Sequence, residues 1–546
     1  MGFRAPVASF RWAHPGRGLW PDGMRGLLSG QRPGVRRLSS ANMVQMGHET
    51  PVIAWRSIAG SGSNDLPGVR RGKGKVRMKP SIYNFLWPTD DPGKMMIFNS
   101  MSTALVEVTS SFLELLQAPR FDYDRLSPRA RRFADQLKDG GFFLEETIDE
   151  LDKLKRAVDA LKYDETNLAL TIAPTLRCNF ACTYCYEQAV GTQERRDGRH
   201  AIMPQAVRAE LLNWIERRAR RVKTLSVSWF GGEPLMAKDV IFELSEKMIR
   251  IADENGIDYH AGMITNGYLL GRDPEIIAKL VKSRISFFQI TLDGPPEVHD
   301  ARRKLKRSNR STFGPVLDGI RLLADSGMNV AVRVNVDRTN REQVLQVPEL
   351  LSAHGIENVS LTLGRVTLDA GGCPSMGSAC TSMQEFSDLN RALERRVRSG
   401  KFKVGHSLYY PRSANNICAP NRLMPLAIDP DGELYKCWHE IGDKAASIGN
   451  ILDFEHRGAE QIARETRWVA WEAFAYPDCR ACKLLPICLG GCPYGPVING
   501  EQPECAEWKY GLEHHVRARY AAEKRMVSEL ATAERTAPEL AGANSN

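Results

Sequence analysis

The chain has no run of eighteen apolar residues, so nothing in it reads as a membrane span. It also lacks the apolar N-terminal segment of a secretory signal. Acidic residues are nearly missing from residues 1–42, which hold only Asp22 against seven arginines. That deficit mimics a mitochondrial transit peptide, but Pro6, Pro15, Pro21 and Pro33 would interrupt any long amphipathic helix. The stretch reads instead as a disordered extension, with Met43 or Met46 as candidate starts. Residues 60–80 are rich in Gly, Lys and Arg and read as a linker, so the extension runs through 1–80. One further lack is local. In LRCNFACTYCYEQ (176–188) Cys178, Cys182 and Cys185 sit close together with no fourth cysteine nearby.

What remains is globular. A chain of 546 residues exceeds one hydrophobic core and implies two or more domains. The net charge of +9 is mild for this length and gathers near the N-terminus, so neither a nucleic-acid nor a membrane partner is expected. The twelve cysteines cluster at metal-ligand spacings instead of scattering through loops, which favours a reducing, cytoplasmic setting over a secreted disulfide scaffold.

Residues 81–160 read as a small α+β module. Two strands, at 81–95 and 96–108, flank the turn signal Asp90–Asp91–Pro92–Gly93, and helices follow near 109–117, 127–139 and 145–161. From 165 to 368 strands and helices alternate. Strands at 168–172, 225–230, 260–265, 287–292, 329–336 and 359–363 are separated by helices near 204–220, 238–253, 274–282, 313–326 and 340–353. Such alternation implies parallel β/α units. Six units fall short of the eight that close a barrel, so an α/β fold with a partial (β/α)6 barrel is expected. Chemistry in such folds gathers at the C-terminal ends of the strands, where the three cysteines lie. A cysteine-rich region occupies 370–510, with a charged helix near 383–399, and a last helix near 508–531 leads into the tail within 511–546.

Three thiolates leave one position of a four-coordinate site open, which suits a catalytic centre more than a structural one. A zinc site with a distant fourth ligand is the alternative. Trp229–Phe230–Gly231–Gly232–Glu233–Pro234 follows the second strand, and its glycines allow close backbone approach. Asn266, Thr291, Arg333 and Asn335 stand at later strand ends; the planar, always charged fork of Arg333 suits a carboxylate. Asp293 and His299–Asp300 follow the fourth strand.

CNFACTYCYE followed by GGEP resembles the radical S-adenosylmethionine (SAM) enzymes. In that family the open iron of a [4Fe–4S] cluster holds SAM, and one electron splits it into methionine and a 5′-deoxyadenosyl radical. The resemblance makes Cys178, Cys182 and Cys185 the cluster ligands, and Gly231, Gly232 and Glu233 contacts of the methionine amino group. Asn266, Thr291, Arg333 and Asn335 become candidates for the ribose and carboxylate.

Cys418 is followed by thirteen residues, Gly432, four residues and Cys437; then come Cys479-x2-Cys482-x5-Cys488-x3-Cys492 and, twelve residues on, Cys505. This run resembles the seven-cysteine SPASM pattern, whose domains carry two auxiliary [4Fe–4S] clusters. By that resemblance Cys479, Cys482, Cys488 and Cys505 ligate one, and Cys418, Cys437 and Cys492 the other. The second is one ligand short: Cys373 or Cys380 would complete it, or its iron stays open. IDPDGELYKCW (428–438) reads as the family's hairpin, turning at Asp431–Gly432.

The resemblance implies an oxidoreductase that modifies a peptide or protein, with a crosslink or thioether in a ribosomal peptide as the leading form. Its low-potential electron donor would be a flavodoxin or ferredoxin. The 81–160 module looks like a winged-helix-like peptide-recognition module, which would take a leader peptide as an added strand. A second enzyme reading is formylglycine formation, as in anaerobic sulfatase maturation, with Asp293 as a speculative catalytic base. The reading from another class is a zinc-ribbon nucleic-acid-binding protein.

Overall fold

A computed structural model describes residues 76–187, 201–367, 379–398, 405–406, 410–411, 413 and 417–536. The extension 1–75 and Cys373 lie outside these residues.

The six expected units form one open sheet. Strands Asn167–Ile172, Thr224–Trp229, Asp258–Thr265, Ile285–Thr291, Asn329–Val336 and Val359–Arg365 lie side by side in chain order, all parallel. Their inward residues vanish from solvent: Ile172, Leu225, Met263, Phe288, Val332 and Leu361 are all 0% exposed. Each such side chain contributes about 1.5–3 kcal/mol by leaving water. Helices Gln205–Arg218, Lys238–Asn255, Ile276–Lys282, Phe313–Asp325 and Val347–Ala353 connect the strands. The fifth helix begins later than its periodicity predicts, at 347 instead of 340. A separate 3-10 turn, Gln343–Gln346, precedes it, and Pro348 in its first turn has no N–H to continue a helix from that turn.

The sheet does not close. Past the sixth strand it gains Gly405–His406, parallel; past the first it gains Leu426–Ile428, also parallel, then the antiparallel strands Glu433–Tyr435 and Gly449–Asn450. The sheet therefore crosses the boundary expected near 368–370, and the cysteine-rich region is built onto the barrel edge. The hairpin turns where expected. Gly432 takes φ +83°, and the Asp429 carboxylate accepts from the N–H groups of Asp431 and Glu433.

The N-terminal region differs more from expectation. Arg77–Pro80, inside the stretch read as a linker, is a strand between Phe121–Asp122 and Phe143–Glu145. Its Gly- and Lys-rich flank hid a buried Met78. The expected hairpin is a three-stranded antiparallel sheet, Asn84–Pro88, Lys94–Asn99 and Leu105–Thr109, because a turn at 100–104 splits the second strand. Helix Glu150–Lys162 starts five residues after its predicted start, where Asp149 accepts from the N–H groups of Leu151 and Asp152. The last helix, Trp508–Thr536, lays Trp508, Leu512, Val516 and Tyr520 against Met96 and Phe98 of that three-stranded sheet.

Candidate metal centre

The cysteine loop at the mouth of the first strand is set by backbone contacts with the second. Gly232 N–H donates to the Thr175 carbonyl at 3.2 Å and Glu233 N–H to the Arg177 carbonyl at 2.8 Å. Gly231 has φ +107°, and a Cβ there would overlap the Thr175 carbonyl oxygen. A Cβ on Gly232 would lie 2.5 Å from the Leu176 carbonyl oxygen. Both glycines are thus fixed by the loop that carries Cys178. Below it, the buried Thr175 hydroxyl donates to the Ala201 carbonyl at 2.5 Å.

Glu233 is fully buried. Its carboxylate accepts from the Thr265 hydroxyl at 2.7 Å, the Asn266 N–H at 2.8 Å and the Leu235 N–H at 3.1 Å. Burial raises its pKa and these bonds oppose the rise. The carboxylate ties the second strand's exit to the third's. Asn266 reaches the cysteine loop, donating to Asn179 Oδ1 at 2.7 Å with its Nδ2 4.0 Å from Cys178 Sγ. Thr291 faces Arg333 across the parallel strands, and Arg333 Nε donates to Asn335 Oδ1 at 2.8 Å. The Arg333 guanidinium lies where a Cβ on residue 364 would be, so Gly364 makes room for it.

Asp293 lies at the centre of a hydrogen-bonded cluster. It is fully buried, and its carboxylate accepts from the Tyr184 hydroxyl at 2.6 Å, Arg302 Nε at 3.3 Å and the Asn335 N–H at 3.0 Å. Arg302 also donates to Asp337 at 2.6 Å, and Arg303 to the Tyr184 hydroxyl at 2.7 Å. With both oxygens engaged, Asp293 anchors the cysteine loop through Tyr184. Sequence reasoning missed Tyr184, Arg302 and Arg303. An ARRK run reads as a solvated charge cluster, yet both arginines are buried.

The thiols fall into three groups. Burial pushes Cys178 up to about 12, with Glu233, Cys182 and Cys185 adding negative charge beside it. Burial raises Cys437 too, and Cys418 and Cys492 act on it; Cys418 is pushed up to about 12 by burial and by Cys492. Cys479 is raised by burial and then by Cys488, Cys482 and Cys505. Thiols that raise one another in this way favour a cationic metal centre that would take them as thiolates. Cys380 is half-buried. Its neighbour Thr381 is held through its carbonyl by Arg365 at 3.3 Å, and Arg365 pairs with Glu504 on the other side.

Among the described residues no three His, Cys, Asp or Glu side chains are placed to hold a single metal ion. Cysteine thiolates are the ligands that iron–sulfur clusters take, and the three thiol groups supply that donor chemistry. The orphaned Arg303 Nε, buried and without a hydrogen-bond partner, also points to a missing acceptor beside Cys182. No helix among the described residues is long and apolar enough to cross a membrane.

Residues 172–351 match the model of the Radical SAM superfamily. The chain is similar to mycofactocin maturase MftC of Mycolicibacterium smegmatis, 26% identical over 379 residues, which covers 65% of this chain and 86% of that protein. It is also similar to the serine-type anaerobic sulfatase-maturating enzyme of Klebsiella aerogenes, 23% identical over 337 residues, covering 58% of this chain and 77% of that one. The solved structure of anSMEcpe with bound AdoMet shares the fold, with a TM-score of 0.51 at 17% identity, covering 65% of this chain and all of that one.

Proposed function

We propose that this chain, whose residues 172–351 match the Radical SAM superfamily model, cleaves SAM and oxidatively modifies a peptide or protein, forming a crosslink or thioether in a ribosomal peptide. The observation that carries this reading is the Cys178–Cys182–Cys185 loop, clamped by backbone bonds onto Gly232 and Glu233 at the C-terminal ends of the parallel strands. Such a loop holds three thiolates and leaves one cluster position for a cofactor. When bound there, a reduced [4Fe–4S] cluster with SAM supplies a 5′-deoxyadenosyl radical that removes hydrogen from a substrate carbon.

The chain's own residues orient and shield. Arg333, steadied by Asn335 and set beside Thr291, offers a fixed cationic fork to a carboxylate. Asn266 holds Asn179 and so the loop between Cys178 and Cys182. Tyr184, held by Asp293 and Arg303, fixes the loop between Cys182 and Cys185. Cys479, Cys482, Cys488 and Cys505 would hold one auxiliary [4Fe–4S] cluster, and Cys418, Cys437 and Cys492 the other, with Cys373 or Cys380 completing it. These clusters would accept an electron or bind substrate as the oxidised product forms. The 81–160 module would recruit the peptide as an added strand, and a flavodoxin or ferredoxin would supply the electron.

Similarity to two sulfatase-maturating enzymes, serine-type and cysteine-type, favours formylglycine formation as the second reading. It needs a general base, and Asp293 is already committed to three donors.

The test is anaerobic purification and reconstitution, iron and sulfide counting, then dithionite and SAM with detection of 5′-deoxyadenosine by mass spectrometry. About twelve irons per chain, four for each of three [4Fe–4S] clusters, and formation of deoxyadenosine are expected. Zinc in place of iron, with no cleavage product, would refute the reading.

A further inference from the structure

The mechanism gives the second of two adjacent buried arginines only a hydrogen bond to Tyr184. Its placement says more. The short strand Phe180–Cys182 pairs antiparallel with Arg303–Leu305, and Arg303 stands directly opposite Cys182. Directly opposed residues project from the same face of a strand pair. The guanidinium therefore shares a face with the thiol, over the ring of Phe180 at 5.5 Å. Arg303 is 6% exposed, far drier than a surface arginine.

Its donors are unevenly used. One terminal nitrogen donates to Tyr184, while Nε has no partner. A buried donor left alone is costly, so the site is built for an acceptor the protein does not supply. The charge is also only partly answered within the chain. Asp293 is shared with Arg302, which holds Asp337 as well, and Glu233, which also feels Arg303, is tied by its own bonds to Thr265, Asn266 and Leu235; Cys182 is foremost among the groups that act on Arg303. An electron-rich cluster sulfide or cysteine thiolate satisfies both demands.

We propose that Arg303 is a positioning residue that faces the cluster held by Cys178, Cys182 and Cys185, donates to it through Nε and raises its reduction potential. The inference rests on the radical SAM reading of those thiols. A fixed positive charge beside the cluster stabilises its reduced state, because reduction adds negative charge in a poorly screened site. The cation thereby helps a weak electron donor load the cluster.

The test uses the full chain, reconstituted and titrated with dithionite, with the cluster's electron paramagnetic resonance signal identified by its change on adding SAM. Arg303→Met is expected to lower the reduced fraction at a fixed potential at least tenfold, equivalent to about 59 mV for one electron. Arg303→Lys, which keeps the charge and loses the fork, is expected to recover most of that loss. The auxiliary cluster potentials should not move. Should Arg303→Met prevent loading, the wild-type protein still decides. With 15N-arginine, the reduced cluster should show a nitrogen hyperfine coupling that Arg303→Lys removes.

An unchanged potential in fully loaded Arg303→Met overturns the proposal, as does the absence of that coupling. Equal loss in the Lys and Met variants overturns the charge argument. If the wild-type protein loads iron but shows no signal that responds to SAM, the radical SAM reading itself fails and this inference falls with it.

Discussion

Gly232 offers the sharpest test of how the cysteine loop is held. Its φ is not in the left-handed region, so alanine meets no conformational penalty there and the cost is steric. The added Cβ would sit 2.5 Å from the Leu176 carbonyl oxygen and 2.6 Å from the Arg177 carbonyl carbon. These are backbone atoms and cannot swing aside as a side chain can. Relief requires the loop to retreat from the second strand's exit, lengthening the 3.2 Å bond to Thr175 and the 2.8 Å bond to Arg177. Two weakened hydrogen bonds at about 1 kcal/mol each, with overpacking of about 1–3 kcal/mol, give about 2–5 kcal/mol. The assay is urea unfolding of the reduced, metal-free protein, followed by iron counting after reconstitution. Gly232→Ala should lose that stability and about four of about twelve irons, one cluster's worth, because Cys178 moves with the loop. Gly256→Ala is the control: φ is +66° with nothing within 4 Å, so it should cost about 1–2 kcal/mol and no iron. A Gly232→Ala protein within about 0.5 kcal/mol of wild type and fully loaded would refute the clamp.

Other predictions follow from the same geometry. Cys182→Ala should abolish deoxyadenosine formation and leave about eight irons per chain on the two auxiliary cysteine sets; cleavage at the wild-type rate would end the assignment. Asp293→Asn should destabilise the protein by about 1.5–3 kcal/mol, the worth of a hydrogen bond to a charged group, because Arg302 keeps Asp337; urea unfolding reads it, and full stability with lost product formation would point to Asp293 as a base. Asp429, raised by burial to about 7 despite its bonds to Glu433 and Tyr435, holds its proton in the folded state at pH values where the unfolded chain has released it. Its contribution is complete below the unfolded value near 3.8 and is lost as pH rises towards 7. Unfolding measured from pH 4 to 8 should show stability falling less steeply with rising pH in Asp429→Asn than in wild type; parallel curves would contradict the shift.

The barrel was legible because its strands are buried on both faces. NVAVRVNV stands in the structure as Asn329–Val336 with every valine buried, and such runs punctuated by amphipathic helices admit few folds. The cysteine runs stand out in the sequence because iron–sulfur ligands in general keep short, fixed intervals in a chain. What stayed hidden depends on pairings between distant segments. Leu426–Ile428 is three residues long, too short to register as a strand of the barrel sheet until it is seen beside Leu170–Ile172. Arg77–Pro80 looks like tail until Phe121 and Phe143 cover it. The hydrogen bonds that hold Asp293 and Glu233 come from Tyr184, Arg302, Thr265 and Asn266, segments far apart in the chain.

The shared sheet also settles how the two cysteine regions keep their distance. Ile172 ends the first barrel strand and leads into the loop of Cys178, and it pairs with Ile428, which leads through the Asp429–Gly432 turn towards Cys437. Strand pairing, not a linker, therefore sets the spacing between the first thiol group and the Cys418–Cys437–Cys492 group. Ring contacts close the gap from the other side. Tyr186, next to Cys185, meets His439 at 4.6 Å, and Phe230, next to Gly231, stacks on Trp438 at 5.8 Å. A register slip of one residue would turn every side chain of Leu426–Ile428 to the opposite face and withdraw these rings from each other. The separation of the two thiol groups is thus written into three backbone-paired residues at the edge of the barrel.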